Sequence, residues 1–422
     1  MPSVYFETFG CQMNVADSDM LAQALFAKGY YSASTSSDAD LIVVNTCSVR
    51  ERAEIRAKAR IKEYVNHRRK SHAAQEIWVI GCMAQRLGQS LRNEIPGIDR
   101  VIGAKDIVPF AQEMDGVLLA GASDTGGEKF PGKLNAFVPI MRGCNNVCSY
   151  CVVPLVRGEE QSIPAISIEN TVRSLVDTGL KEVTLLGQNV NSYHDGSTDL
   201  AGLLEKIQAI PGLARIRFTT SHPKDCTDAL LQTIGRYPKL CKHIHLPVQS
   251  GSTRILEKMN RKYTRETYLQ RIDAIRRILP NADITTDVMT GFPTESDEDF
   301  SDTVSLFKQV HFTAAFMFAY SKRDGTVAAA LNDDVPVDVK KERLARLIDL
   351  QTAITKDHYS SMVGKDLEVL FLERQRGGEK LWTGQDNGCK RSVLSCNENI
   401  AGMILRVRAL HSSGMTLITE RI

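Results

Sequence analysis

The segment Met141 to Pro154, MRGCNNVCSYCVVP, sets Cys144, Cys148 and Cys151 at the spacing C-x3-C-x2-C directly after VPIMRG, a run that reads as a β-strand. Three thiols in eight residues cannot be spread through a core, so the loop that carries them is built around what their sulfurs hold. Three thiolates can ligate three irons of a [4Fe-4S] cluster and leave the fourth iron open to a substrate or cofactor. The other reading is structural zinc completed by a remote fourth cysteine, although zinc ligands usually come as C-x2-C pairs. An open iron makes the chain an enzyme; a closed site makes it a metal-stapled scaffold.

The strand and helix pattern places this loop. Residues 3 to about 125 alternate strand with helix: VYFETF, LIVVNTC and IWVIGCM are each followed by a helical stretch, which implies a parallel sheet covered by helices. A Gly-rich break, GASDTGGEKFPGK at 121–133, reads as a linker. From about 138 to 321 six strand candidates recur with helices between them: VPIMRG, EVTLLG, RIRFTT, HIHLPV, ADITTDV and FTAAFMFAY. Six βα units predict a partial TIM-like barrel with its site at the carboxyl ends of the strands. A helix around KKERLARLIDLQTAITKDHY, with Leu344, Leu347, Ile348 and Ile354 at helical spacing, leads out of it. After about 360, DLEVLFL, MILRVRAL and MTLITERI predict a small antiparallel β domain, a five-stranded barrel. The expected units are 1–125, 134–358 and 360–422 in an α/β multidomain chain.

Cys11, Cys47 and Cys82 are remote in sequence, but each follows an expected strand: FETFG-Cys11, LIVVNT-Cys47 and IWVIG-Cys82. In an open parallel sheet the carboxyl ends of neighbouring strands line one crevice. The three thiols are therefore either a second three-cysteine site or three core cysteines. The remaining four, Cys226, Cys241, Cys389 and Cys396, show no comparable grouping and read as ordinary reduced thiols. Loops LLGQNVNSY, HLPVQSGS and TGFPTES carry Gly and amide side chains where a barrel presents its site. Arg50 to His72 reads as a basic helix, either facing phosphates or simply solvated.

Composition narrows the setting. The opening MPSVYFETFG lacks the basic and apolar regions of a signal peptide, and no apolar run approaches a membrane span. With ten cysteines the chain is expected in reducing cytoplasm, where metal ligation or catalysis is the leading use of thiols. Its net charge of only +2 leaves any nucleic-acid contact to local patches.

Taken together, TFGCQMN, MRGCNNVCSYCVVP, LLGQNVNSY, FTTSHP, HLPVQSGS with ILEKMNRKYT, and YSKRDGT resemble the MiaB type of methylthiotransferases in the radical S-adenosylmethionine (SAM) superfamily, essentially end to end. The resemblance implies a flavodoxin-like first domain, a radical SAM partial (βα)6 barrel and a C-terminal TRAM domain that helps bind tRNA. It implies that Cys144, Cys148 and Cys151 hold a [4Fe-4S] cluster whose open iron chelates SAM, giving a 5′-deoxyadenosyl radical that takes hydrogen from C2 of adenine. Cys11, Cys47 and Cys82 would hold an auxiliary [4Fe-4S] cluster that accepts a methyl group from a second SAM and delivers methylthio. Tyr150, Gln188, Asn189 and Gln249 are the expected SAM neighbours by position in matching loops. The implied substrate is N6-isopentenyladenosine immediately 3′ of the tRNA anticodon, and the implied partner a low-potential electron donor such as flavodoxin or ferredoxin; the chain is expected to act as a monomer. Thr294 stands where the family commonly has Gly, and LWTGQDNGCKRSV only loosely follows the usual TRAM turn. Methylthiolation of a ribosomal-protein aspartyl side chain is the nearest rival, which TFGCQMN argues against; an RNA-binding protein with structural clusters is the rival from another class.

Overall fold

A computed structural model describes residues 1–49, 51–71, 74–115, 133–375 and 380–422. The expected linker 121–133, apart from Lys133, and the first boundary at 125 lie outside the described residues, as do Arg50 and His72 at the ends of the basic segment.

The first unit is a five-stranded parallel sheet in the order Tyr31–Ser32, Ser3–Thr8, Leu41–Thr46, Glu76–Gly81 and Arg100–Gly103. This is the flavodoxin-like order, and its switch point lies between Ser3–Thr8 and Leu41–Thr46. Leu41–Thr46, LIVVNT, is buried at every position, as a central parallel strand covered on both faces must be. Helices Gln12–Ala27 and Ile107–Asp115 pack on one face and Glu51–Ser71 on the other, around two separate apolar cores.

The central unit contains the six expected strands: Asn135–Pro139, Glu182–Leu186, Arg215–Thr219, His243–His245, Asp283–Thr290 and Ala314–Ala319, all parallel where they pair. The two three-stranded halves are joined where Cys241 N donates to Ile216 O at 2.9 Å and Ile216 N to Lys239 O at 2.8 Å. The first strand begins earlier than VPIMRG suggests. Its Met141–Arg142 part instead pairs antiparallel with Gln161–Ser162, because Gly143 turns at φ +75°, and any Cβ there would lie 1.9 Å from Glu159 O. Helix Val337–Ser360 covers the last strand with Leu347 and Ile354 buried; Ile348, expected on the same face, is 41% exposed, and Gln351 and Thr355 are buried in its place.

The last unit is a closed five-stranded barrel of Asp366–Arg374, Leu381–Gln385, Arg391–Ser395, Thr416–Arg421 and Ile404–Ser413. It is not wholly antiparallel, since Arg391–Ser395 and Thr416–Arg421 run parallel. Within LWTGQDNGCKRSV, which only loosely follows the usual TRAM turn, lie the strand LWTGQ and the start of the strand RSVLS. The loop between them enters the bottom of the central barrel. There Arg217, from the third strand, donates to Glu182 Oε2 at 2.9 Å and to Asp386 O at 2.8 Å, and Arg215 donates to Glu368 O at 2.7 Å and to Gln385 O. Lys390 bridges Asp283 and Asp386, and Lys242 N donates to Asn387 Oδ1 at 2.7 Å. Arg215, Arg217 and Lys390 thus balance Glu182, Asp283 and Asp386, all buried, so the cluster carries no uncompensated charge into the interior. The first and central units are clamped by Asp17, fully buried on helix Gln12–Ala27. It takes Arg142 Nη1 at 2.7 Å and Arg157 Nη2 at 3.0 Å, both arginines coming from the central unit.

Two outcomes follow from these joints. Gly388→Ala should destabilise the chain by about 1–3 kcal/mol or more by overpacking, because a Cβ at 388 would sit 1.5 Å from Asp283 Oδ2; urea unfolding followed by tryptophan fluorescence measures it through Trp382. Asp17→Ala leaves buried Arg157 and half-buried Arg142 without their anion, a change of about 3–5 kcal/mol. Hydrogen exchange should report it as faster exchange in Gln12–Ala27, with little change in the C-terminal barrel.

Candidate active site

Each of the first three cysteines stands just past a strand of the first sheet. Cys11 caps helix Gln12–Ala27, Cys47 follows Leu41–Thr46 directly, and Cys82 opens helix Cys82–Leu87 straight after Glu76–Gly81. Gly10 and Gly81, at φ +125° and +99°, make these approaches possible: a Cβ at 10 would lie 2.7 Å from Cys47 Cβ, and one at 81 would lie 2.5 Å from Thr46 O. Buried Asn14 fixes the turns, donating from Nδ2 to Phe9 O, Asn45 Oδ1 and Thr46 O at 3.1, 3.0 and 2.9 Å. Its Oδ1 accepts from Cys11 Sγ at 3.4 Å and from Arg157 Nη2 at 3.1 Å. Cys11 is exposed, whereas Cys47 and Cys82 are buried. Burial pushes the Cys82 thiol up to about 11, against the lowering pull of Arg157 and with Cys47 and Cys11 near enough to add to the rise.

The second group lies on the loop after Met141–Arg142, at the carboxyl end of the central barrel. The loop is held along its length: Cys144 N donates to Gly158 O at 3.1 Å, Ser149 N to Met259 O at 3.0 Å, Ala328 N to Ser149 O at 2.7 Å, and Asn260 Nδ2 to Val147 O at 2.8 Å. Cys144 Sγ accepts from Asn146 N at 3.4 Å. Arg261, buried, directs Nη1 at Cys148 Sγ (3.2 Å) and Tyr150 Oη (3.4 Å), while Nη2 is anchored on Pro247 O at 3.0 Å. Burial raises the Cys144 thiol and pushes Cys151 up to about 12. Thiols so placed must shed protons to bind a metal, and the buried guanidiniums of Arg157 and Arg261 favour the thiolate form.

The two groups are packed against each other. Val152, next to Cys151, and Val156 form one apolar cluster with Cys82 and Ala104, so the helix Val153–Arg157 that leaves one cysteine loop is the wall on which the other rests. Beside them, Met13 and Ala16 of helix Gln12–Ala27 pack against Leu186 and Phe137 of the central unit.

The expected SAM neighbours lie on the loops after three strands. Gln188 and Asn189 follow Glu182–Leu186; Gln188 Oε1 and Asn189 Oδ1 are buried with no partner in the protein, as is Thr290 Oγ1 at the end of Asp283–Thr290. Asn189 is oriented by Nδ2 donating to Asp225 Oδ2 at 2.8 Å. Gln249 has φ +72° and bridges to Val288 across the sheet. Tyr150 packs with Ile255, Met259, Phe292 and Tyr320. Thr294 also has a left-handed φ of +72°, which explains why glycine suits that position.

Among the described residues no three Cys, His, Asp or Glu side chains close on a point as ligands of one metal ion do. A cubane cluster carries its irons on separate corners, so three thiolates that share one stand farther apart. Sequence reasoning missed Asn14, Asp17, Arg157 and Arg261. The signal available was position: Asn14 is three residues past Cys11, Arg157 is six past Cys151, and Arg261 lies inside ILEKMNRKYT. Cys241 and Cys389, expected to be unrelated, both flank Arg217, whose Nη1 lies 2.6 Å from Cys389 Sγ.

Residues 138–307 match the Radical SAM superfamily, and residues 3–103 match the Uncharacterized protein family UPF0004. A tRNA-2-methylthio-N(6)-dimethylallyladenosine synthase of Desulfitobacterium hafniense (strain Y51) is 42% identical, over 98% of this chain and 96% of its own length. The synthase of that name from Syntrophus aciditrophicus (strain SB) is 41% identical over 99% and 95%. Among solved structures, the radical SAM methyltransferase TsrM of Kitasatospora setae superposes with a TM-score of 0.57 over 78% of this chain and 77% of that one; at 14% identity this speaks for the fold alone. With its two cysteine groups on the expected scaffolds and relatives that match it nearly end to end, the chain belongs to the MiaB family of radical SAM methylthiotransferases.

Proposed function

We propose that this enzyme converts N6-isopentenyladenosine, immediately 3′ of the tRNA anticodon, to its 2-methylthio form. The observation that carries the reading is the packing of the two cysteine groups on each other, with Val152 of one loop in the same apolar cluster as Cys82 of the other. A single radical site would not need a second thiol set facing it.

The donor sets fit two [4Fe-4S] clusters: three thiols each, held on glycine-permitted turns, with buried Arg261 directed at Cys148 of one set and buried Arg157 bonded to Asn14 beside Cys11 of the other. Cys144, Cys148 and Cys151 would hold one, and Cys11, Cys47 and Cys82 the other. When bound, these clusters with two SAM molecules supply the radical that opens the unactivated C2–H bond, and the sulfur and methyl that replace the hydrogen. The protein's own part is position and dryness. Gln188 Oε1, Asn189 Oδ1 and Thr290 Oγ1, buried and unpartnered, suit the ammonium and hydroxyl donors of SAM, with Tyr150 and Gln249 beside them. The Asp17 clamp keeps the two thiol sets at one separation, so that reacting groups meet without a search.

For the RNA, the C-terminal barrel acts as a TRAM domain. A surface groove of about 610 Å³ lined by Arg391, Arg421, Ser413 and Thr416 has the cations and hydroxyls that contact phosphates. The DNGCK loop is committed to the central barrel and takes no part in RNA contact. The units 1–125, 134–358 and 360–422 serve as sulfur-delivery, radical and RNA-binding modules of a cytoplasmic monomer fed by a low-potential donor such as flavodoxin or ferredoxin. Among the described residues no helix is long and apolar enough to cross a membrane.

Anaerobic enzyme with SAM and reductant should methylthiolate an anticodon stem-loop carrying isopentenyladenosine, read by mass spectrometry of the nucleosides; an unmodified RNA beside a methylthiolated ribosomal-protein loop would overturn the substrate. Cys148→Ala should reduce 5′-deoxyadenosine formation to background. Cys47→Ala should still form 5′-deoxyadenosine but no methylthio product, and equal loss of both activities in both folded variants would contradict the division of labour.

A further inference from the structure

Arg261 is a buried cation without a carboxylate. Arg157, Arg217 and Arg343 are buried as well, and each meets one: Asp17 at 3.0 Å, Glu182 at 2.9 Å and Glu295 at 2.8 Å. Arg261 is 5% exposed, yet among the described residues its partners are all of another kind. Its Nε donates to Tyr263 Oη at 2.9 Å, Nη2 to Pro247 O at 3.0 Å, and Nη1 to Cys148 Sγ at 3.2 Å and Tyr150 Oη at 3.4 Å. His222, edge-on to Tyr263 at 5.5 Å between ring centroids, stays neutral, because burial and the charge of Arg261 push it down to about 2. A guanidinium does not shed its proton to escape burial, so the interior around it has to hold an anion.

The chain is shaped to keep the cation there. Asn260 and Lys262, on either side of it, both take left-handed φ angles of +56° and +63°, a conformation that side chains other than glycine adopt only where the surroundings over-determine it. The same segment is fastened to the cysteine loop: Ser149 N donates to Met259 O at 3.0 Å, Ser149 Oγ to Lys258 O at 2.8 Å, and Asn260 Nδ2 to Val147 O at 2.8 Å. Arg261 and Cys148 are therefore parts of one frame and do not move apart independently. Of the groups that the guanidinium touches, only the Cys148 sulfur becomes an anion when it ligates a metal. Arg157, at the other cysteine set, has its charge answered by Asp17; that of Arg261 is left for the set containing Cys148.

We propose that Arg261 is a positioning residue that supplies the counter-charge of the cluster held by Cys144, Cys148 and Cys151, and that it thereby sets the reduction potential of that cluster. The inference rests on the cluster reading above. With three thiolates an oxidised [4Fe-4S] centre carries one net negative charge, and one electron from the low-potential donor makes it two, with no proton moved. A fixed cation beside a ligand sulfur favours the more negative state, and the charge-assisted hydrogen bond withdraws electron density from that sulfur. Both effects ease reduction, so Arg261 raises the potential and its loss lowers it.

The test is a redox titration followed by electron paramagnetic resonance on the full-length, anaerobically reconstituted chain carrying Cys47→Ala, so that the cluster of the Cys144–Cys151 loop is the one observed. Arg261→Gln should lower the ratio of reduced to oxidised cluster at a fixed potential about tenfold, which is about 59 mV for a one-electron couple. Arg261→Lys loses the fork that spans Pro247 O and Cys148 but keeps the charge, and should retain most of the parent's ratio; a merely structural role would make the two variants alike. In a chain carrying Cys148→Ala instead, where the cluster of Cys11, Cys47 and Cys82 is observed, Arg261→Gln should leave the ratio unchanged. Circular dichroism checks folding, and Arg261→Met, which fills the space of the stem, serves if the glutamine variant does not fold. A folded neutral variant with the parent's ratio, lysine and neutral variants that behave alike, or an equal shift of the other cluster would overturn the proposal. Failure of all three variants to fold would assign Arg261 to folding and overturn it too. A Cys47→Ala chain with Arg261 intact that shows no cluster signal would overturn the cluster reading itself, and the proposal with it.

Discussion

The buried carboxylate of Asp17 is the joint on which the arrangement turns. A carboxylate with no solvent exposure is tolerable only when fully paired, and its two partners, Arg142 and Arg157, flank the Cys144–Cys151 loop. Asp17 itself lies six residues past Cys11, on the helix that Cys11 caps. One ion-pair triad therefore ties both cysteine loops to a common frame. Arg157 extends the tie through Asn14 Oδ1 into the turns that position Cys11 and Cys47. Holding two reactive centres apart yet facing is a problem of rigidity, and charge-assisted hydrogen bonds in a dry interface supply it at fixed geometry.

The opposite end of the barrel is closed by different means. A radical enzyme must keep water and stray hydrogen donors from its lumen, and six strands do not complete a barrel. Helix Gln12–Ala27 covers the side near Leu186 and Phe137, and the loop from the C-terminal barrel stops the bottom with a charge-balanced polar cluster. Both covers come from the units proposed to deliver sulfur and to bind RNA.

Much of this was legible in the sequence because strand periodicity and cysteine position are local signals. LIVVNT could only be a buried parallel strand, and Cys144, Cys148 and Cys151 could only share a loop. The convergence of Cys11, Cys47 and Cys82 needed one further step, the rule that neighbouring strand ends line a crevice. The clamp and the stopper were not legible, since nothing in the composition of QMNVADSD or DNGCK tells a surface turn from a buried ion pair. Their partners lie 107 or more residues away, as Asp283 does from Lys390 and Arg142 from Asp17.

The account stands on the two proposed clusters lying next to each other, and electron paramagnetic resonance of the fully reduced enzyme tests that directly. Two clusters held by the Asp17 frame should interact, giving a broadened, fast-relaxing spectrum that is not the sum of the Cys47→Ala and Cys148→Ala spectra. A spectrum that equals that sum, or that contains one cluster signal alone, would contradict it.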